Sequence, residues 1–202
     1  LKINRLIYID KNSVSSVGMT RLDEWSHSIE QVYDWLNQAI HTPKHCIRFP
    51  SVTTVHSGVP HTRTLVLRDL DGANFIFFTD NRSQKVRQLD INPHACMHCY
   101  DPQSRLQIKV LGVLKPIDNH PKLTEWTEMG LDRYTDYGAE LAPGHPFPSE
   151  PFSNTLELAQ SHFLPLVLVP NHLEFLQLNR KAHLRIQWTL CDHKWKRMRV
   201  VP

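Results

Sequence analysis

Apolar positions along this chain follow two rhythms. Leu22, Trp25, Ile29, Val32, Tyr33 and Leu36 recur at three- and four-residue steps, which predicts an amphipathic helix over 22–39 that Pro43 prevents from continuing. Beyond it the period drops to two. Strands are predicted over 47–56, 61–68, 74–80, 94–100, 106–117, 164–169, 172–178, 183–189 and 194–200. Pro50 marks the first of these as an edge or a bulge, 57–60 reads as a turn, and Asp71-Gly72 is a hairpin signal. Helical spacing returns over 83–91, ahead of Pro93, and over 121–137, where Leu123, Trp126, Met129 and Tyr134 are expected inward. Residues 154–160 hold at most a short helix. Residues 142–151 contain four prolines and a glycine and form a loop long enough to suggest function.

Nine strands in hairpin order with a few helices imply a mainly β fold, an antiparallel barrel or sandwich with helices at its ends. The strand links are too short for parallel crossovers, and neither GxGxxG nor a Walker motif is present. Residues 1–18 read as an N-terminal extension that adds little to the core, and 19–202 as one domain, with Met19 resembling a natural start.

Composition narrows the function classes. Of 202 residues, 41% are hydrophobic, enough for a sizeable core, yet no run approaches the roughly 20 apolar residues that span a bilayer. A net charge of +3 suits local anion sites better than nucleic-acid binding. Four scattered cysteines make no disulfide framework, so a cytoplasmic setting is the expectation. Cys96-Met-His-Cys99 invites a zinc reading, but on a strand the two thiols face opposite sides and no second pair completes a site, so no metal is expected.

Candidate chemistry concentrates in two segments. Arg63-Thr-Leu-Val-Leu-Arg68 carries a cation at each end. Five residues apart on an ideal strand, the two face opposite sides, unless a bulge intervenes. Phe77-Phe-Thr-Asp-Asn-Arg-Ser-Gln-Lys85 runs a strand into the start of a helix. Lys85 in that first turn opposes the helix dipole, a conflict that a bound phosphate would remove. Gln107 interrupts the apolar alternation of Leu106-Gln-Ile-Lys-Val and shares a face with Lys109 and Leu111. Solvated strand-end charges, a tolerated surface lysine and a solvent-facing glutamine are the plain alternatives.

Together with Asn92-Pro-His-Ala, Leu173-Glu-Phe-Leu-Gln-Leu, His183-Leu-Arg185 and Trp195-Lys-Arg-Met-Arg-Val-Val-Pro202, these segments resemble, in order over about 22–202, the pyridoxamine 5′-phosphate oxidase family. Trp126 to Arg133 followed by Ala142-Pro-Gly144 is closer to its Alr4036-type FMN-binding branch. The resemblance implies an antiparallel split β-barrel homodimer with FMN at the subunit interface. It implies that Arg63, Ser83 and Lys85, with Gln84 beside them, hold the FMN phosphate, and that Phe78 and Thr79 lie along the flavin. Gln107 would approach the isoalloxazine, Arg185 would act from the last strands, and Arg68 would lie near both FMN and substrate. His183, Lys181 and Arg133 are the implied contacts to a small-molecule substrate; no catalytic residue is assigned.

Departures separate cofactor from reaction. The oxidase pattern has Arg-Lys at Gln84-Lys85, tyrosine at Phe78, tryptophan at Leu176 and Arg-Leu-His at Lys181-Ala-His183. Its Tyr/Arg/Ser set for the vitamin phosphate meets only Trp126, Arg133 and Thr135 here. Losing one phosphate cation weakens binding by ~1–3 kcal/mol, which a multi-contact site absorbs. The reading is an FMN-dependent oxidoreductase with weak or no turnover of pyridoxamine 5′-phosphate. The alternatives are a flavin-binding protein without oxidase activity and a haem-binding split barrel.

Overall fold

A computed structural model describes residues 28–202 except Pro43, Arg133 and Lys181, along with the backbone but not the side chain of Tyr134. The expected extension 1–18, Met19, Leu22 and Trp25 lie outside the described residues, as do Arg133 and Lys181. No described helix is long and apolar enough to cross a membrane.

Nine strands form one antiparallel sheet: β1 Ser51–His56, β2 Val59–Thr64, β3 Leu67–Asp71, β4 Asn74–Asp80, β5 His94–Asp101, β6 Leu106–Pro116, β7 Phe163–Gln177, β8 Leu184–Cys191 and β9 Lys194–Val200. Their order is β2-β1-β5-β6-β7-β4-β3, with β8 and β9 branching from β7. The helices are α1 Ile29–His41, α2 Gln84–Ile91, α3 Leu123–Leu131 and α4 Leu156–His162.

Strand β7 explains the split. The sequence pattern predicts two strands, 164–169 and 172–178; the chain instead makes one 15-residue strand with a bulge. β6 pairs along its whole length. On the other edge, Phe163 to Leu168 pair with β4, and His172 to Gln177 pair with β8. Asn171 is the extra residue, between Leu111↔His172 and Gly112↔Pro170. Pro170 cannot donate to a ladder, so it sits where the partner changes. Gly112 lets the backbones close there: a Cβ would collide with Val169 O and lie 2.9 Å from Pro170 Cα.

Two cores result. Alternate residues of β1, β4, β5, β6, β7 and β8 face a barrel interior that includes Val52, Phe75, Phe77, Met97, Ile108, Val110, Phe175 and Trp188. Helix α1 closes this core with Ile29, Val32, Tyr33, Leu36, Ala39 and Ile40, and a Ser28–Gln31 capping box starts the helix. The other face of β4 carries Ile76 and Phe78 into a second core with Trp126, Tyr137, Ala159 and Phe163. On α3, Trp126 is inward as expected, but Met129 is exposed. The neighbouring Gly130 faces inward instead, because the Phe163 ring occupies the space of a side chain there. Helix α3 also ends at Leu131, with a 3-10 turn at Tyr134–Asp136, rather than running to 137.

Candidate functional site

The segment 63–68 is not one strand. β2 ends at Thr64, β3 begins at Leu67, and the β3–β4 register shifts between Leu67 and Asp69, leaving Arg68 in a bulge. Arg63 and Arg68 therefore go to different places. Arg63 turns inward beside β1: its Nη1 donates to Thr54 Oγ1 at 2.7 Å and Val52 O at 3.3 Å, and its Nη2 to Gln88 Oε1 at 3.1 Å. Arg68 lies over the Phe78 ring, 5.6 Å from its centroid, with its Nε buried and unpartnered among the described residues.

The helix start supplies a second cation to the Arg63 side. Lys85 Nζ donates to Thr79 Oγ1 at 2.8 Å and to Ser83 Oγ at 3.0 Å. Ser83 is the N-cap of α2, but its hydroxyl makes no capping bond, so the N–H groups of the first turn keep no side-chain acceptor. Burial, and then the charge of Arg63, hold the Lys85 ammonium below its ordinary pKa. Asp80 offsets this only in part. Burial also lowers Arg63. The nearby acid is already engaged: Asp80 takes Arg82 Nη2 at 2.7 Å, Arg82 Nε at 3.1 Å and the Arg82 backbone N–H.

Two half-buried cations thus stand within electrostatic reach of each other at an open helix N-terminus. Hydroxyls surround them, and Gln88 Nε2 is buried without a partner among the described residues. A phosphate monoester fits this donor set: it accepts from both cations, from Ser83 and Thr79, and from the helix amides. Gln84, by contrast, is exposed and its side chain makes no hydrogen bond to the cluster. Phe78 is packed against Phe163 at 5.1 Å.

Gln107 and Arg185 lie elsewhere. They flank Leu176 in one row across β6, β7 and β8, on the sheet face opposite the barrel core. The next row holds Lys109, Glu174 and Gln187. Glu174, 2% exposed, accepts from Arg185 Nη2 at 2.9 Å and Gln187 Nε2 at 2.8 Å and pairs with Lys109 Nζ at 3.3 Å. Burial raises its pKa, but the Gln187 and Arg185 hydrogen bonds and the Lys109 and Arg185 charges outweigh it and hold the carboxyl below its ordinary value. Arg63 pairs with the core residue Val52, whereas Gln107 and Arg185 stand on the other face of the sheet.

His183 sits in the β7–β8 hairpin and accepts from Asn179 N–H at 3.0 Å through Nδ1. Sequence reasoning missed Thr54, Gln88 and Glu174. The signal was there for the last: a lone acid in the apolar run Leu173-Glu-Phe-Leu. Cys96 faces outward beside Leu111 and Cys99 inward beside Ile108, the opposite orientation expected of a strand.

Residues 24–118 match the family described as pyridoxamine 5′-phosphate oxidase, FMN-binding domain. The pyridoxine/pyridoxamine 5′-phosphate oxidase of Neisseria gonorrhoeae is 26% identical over 213 residues, covering 95% of this chain and 97% of that protein. The enzyme of the same name from Legionella pneumophila is 26% identical over 191 residues, 86% of this chain and 87% of that one. Among solved structures, a pyridoxamine 5′-phosphate oxidase-related FMN-binding protein of Nostoc punctiforme shares the fold with a TM-score of 0.63 at 22% identity, over 85% of this chain and 96% of that one. PhzG of Burkholderia lata, solved with tetrahydrophenazine-1-carboxylic acid, does so with a TM-score of 0.71 at 18% identity, over 93% and 98%. Residues 24–118 thus match the FMN-binding domain of the pyridoxamine 5′-phosphate oxidase family, and the chain has the split-barrel fold of pyridoxamine 5′-phosphate oxidase-like FMN-binding proteins.

Proposed function

We propose that the protein is an FMN-dependent oxidoreductase, working as a homodimer with FMN between the copies, on a small molecule other than pyridoxamine 5′-phosphate. The observation that carries this reading is the pairing of Arg63 with Lys85 at the α2 N-terminus without a free acid. Arg63, Ser83, Lys85 and the α2 amides hold the phosphate of FMN. Thr79 lies beside them on the way to the ring. Gln107 and Arg185 of the second copy meet the isoalloxazine, since a copy's own pair stands on the sheet face opposite the one to which Arg63 turns. Exposed apolar side chains on that outer face, Tyr100, Leu111 and Met198, favour its burial against another copy.

Bound FMN supplies hydride chemistry; the protein positions it and shields it from water. Glu174 orients Arg185 by a buried ion pair, and Lys109 and Gln187 hold Glu174. Arg68, with its orphaned Nε above Phe78, offers an anion contact near the ring. The vitamin substrate fits poorly. Trp126 is fully buried and donates to Asp69 Oδ2 at 3.0 Å, so it presents nothing to a substrate phosphate. The reading carries a cytoplasmic setting with it, where Cys46, Cys96, Cys99 and Cys191 stay reduced.

The test is anaerobic titration of the FMN-loaded protein with candidate reductants, followed by loss of the flavin absorption band. Pyridoxamine 5′-phosphate is expected to bleach it slowly or not at all. Rapid stoichiometric bleaching by that compound would refute the substrate assignment, and a purified protein that neither carries nor takes up FMN would refute the whole.

A further inference from the structure

Gln88 is fully buried on α2, three residues after Lys85 and so on the same side of the helix. Its Oε1 lies between two donors, Thr54 Oγ1 at 2.6 Å and Arg63 Nη2 at 3.1 Å. The atom on which both converge is the amide oxygen, because an amide nitrogen there would meet the guanidinium donor to donor. That orientation leaves Nε2 buried without a partner among the described residues. An apolar side chain of similar size would fill the space without this cost, so packing alone does not account for a glutamine here.

The contacts of Arg63 show what that oxygen does. Val52 pairs with Arg63, which lays the guanidinium beside the buried Thr54. Nη1 donates to Thr54 Oγ1 and to Val52 O, and Nη2 donates to Gln88 Oε1. The Thr54 hydroxyl hydrogen also goes to Gln88, so its lone pairs are left to accept Nη1. Arg63, Thr54 and Gln88 thus close a ring of hydrogen bonds. The ring and Val52 use both Nη1 hydrogens and one of Nη2. The Nε hydrogen and the other Nη2 hydrogen remain, and they lie on one edge of the planar group, an edge with which arginine grips two oxygens of one phosphate. Every acceptor in the ring is neutral, so the Arg63 charge is not cancelled before an anion arrives.

We propose that Gln88 is a positioning residue for the flavin phosphate. Through Oε1, and with Thr54 as its relay, it clamps one edge of Arg63 so that the Nε/Nη2 edge is offered to the phosphate, and it does this without touching the ligand. Helix α2 then serves the phosphate twice, directly through Lys85 and indirectly through Gln88. A neutral acceptor suits the task, because a carboxylate in its place would hold Arg63 equally well but repel the phosphate. This rests on the reading that Arg63 and Lys85 hold the phosphate of FMN.

The experiment titrates the full chain, stripped of flavin, with FMN and with riboflavin, which lacks the phosphate, and follows quenching of flavin fluorescence. It compares the parent, Gln88→Met, Arg63→Gln and the double variant. Methionine keeps the length and the packing and removes the acceptor. Gln88→Met should weaken FMN about tenfold and change riboflavin by less than about twofold. In the Arg63→Gln background the same substitution should change FMN affinity by less than about twofold, because no guanidinium is left to aim. Thr54→Val should show the same phosphate-selective loss, and it replaces Gln88→Met if that variant melts too low to assay. Equal losses of FMN and riboflavin, the full loss repeated in the Arg63→Gln background, or no loss at all overturns the proposal. Unchanged FMN affinity in Arg63→Gln alone overturns the phosphate reading and the proposal with it. A loss in Arg63→Gln with none in Gln88→Met or Thr54→Val sinks the positioning role and leaves the phosphate reading standing.

Discussion

Lys85→Met separates a ligand-binding lysine from a structural one. In the protein without FMN, Lys85 is half-buried beside Arg63, and both effects disfavour its charge. Its two hydrogen bonds go to hydroxyls that stand 3.4 Å apart and serve each other once the lysine is gone. Methionine keeps the stem and removes the repulsion. The apo protein should therefore melt within about 3 °C of the parent, or above it, since ~1 kcal/mol shifts a domain of this size by about 2–4 °C. With FMN the balance reverses. A hydrogen bond to a charged group contributes about 1.5–3 kcal/mol, and each ~1.4 kcal/mol is tenfold, so FMN should bind about 10- to 150-fold more weakly. The assay is quenching of FMN fluorescence on titration, paired with apo melting curves. Unchanged FMN affinity would refute the phosphate assignment. So would a large fall in apo melting temperature that accounts for the lost binding.

Other perturbations test other joints. Glu174→Ala leaves Lys109 and Arg185 facing each other without their shared acid, and should destabilise by roughly 2–3 kcal/mol in urea melts, the partners' partial exposure softening a fully buried loss. Because the folded Glu174 pKa lies below its unfolded value, its contribution is present above about pH 4.5 and lost as pH falls through the folded value; Glu174→Gln should flatten that part of the stability–pH curve. Gly112→Ala should cost roughly 3 kcal/mol or more by forcing β6 away from the β7 bulge, visible as a melting temperature lower by about 6–12 °C.

Where residues obey one period the chain is readable. β4 is Asn74–Asp80 as its alternation predicts, and the buried face of α1 is the one its spacing marks. Reading fails where a single residue serves a distant neighbour. Pro170 reads as a strand break, but β6 carries the ladder past it on the other edge. Met129 reads as core, but Phe163, more than thirty residues on, fills that space beside Gly130. The run from Arg63 to Arg68 reads as one strand because nothing local marks the bulge. At the candidate site, Lys85 stood out in the sequence because it opposes its helix dipole. Thr54 and Gln88 did not, because their role is set by Arg63 folding across from β2. Glu174 was visible only as an acid among apolar neighbours, its partners lying on the two adjacent strands, β6 and β8.

The central claim is that one copy's phosphate cluster serves the flavin met by the other copy's Gln107 and Arg185. Co-expression of an Arg63→Gln/Lys85→Met chain and a Gln107→Ala/Arg185→Gln chain under different affinity tags isolates the mixed dimer. All four substitutions then fall on one site and the second site is intact. Neither parent should retain FMN, while the mixed dimer should retain one FMN per two chains. A mixed dimer as empty as its parents, or two tagged chains that do not co-purify, would contradict the account.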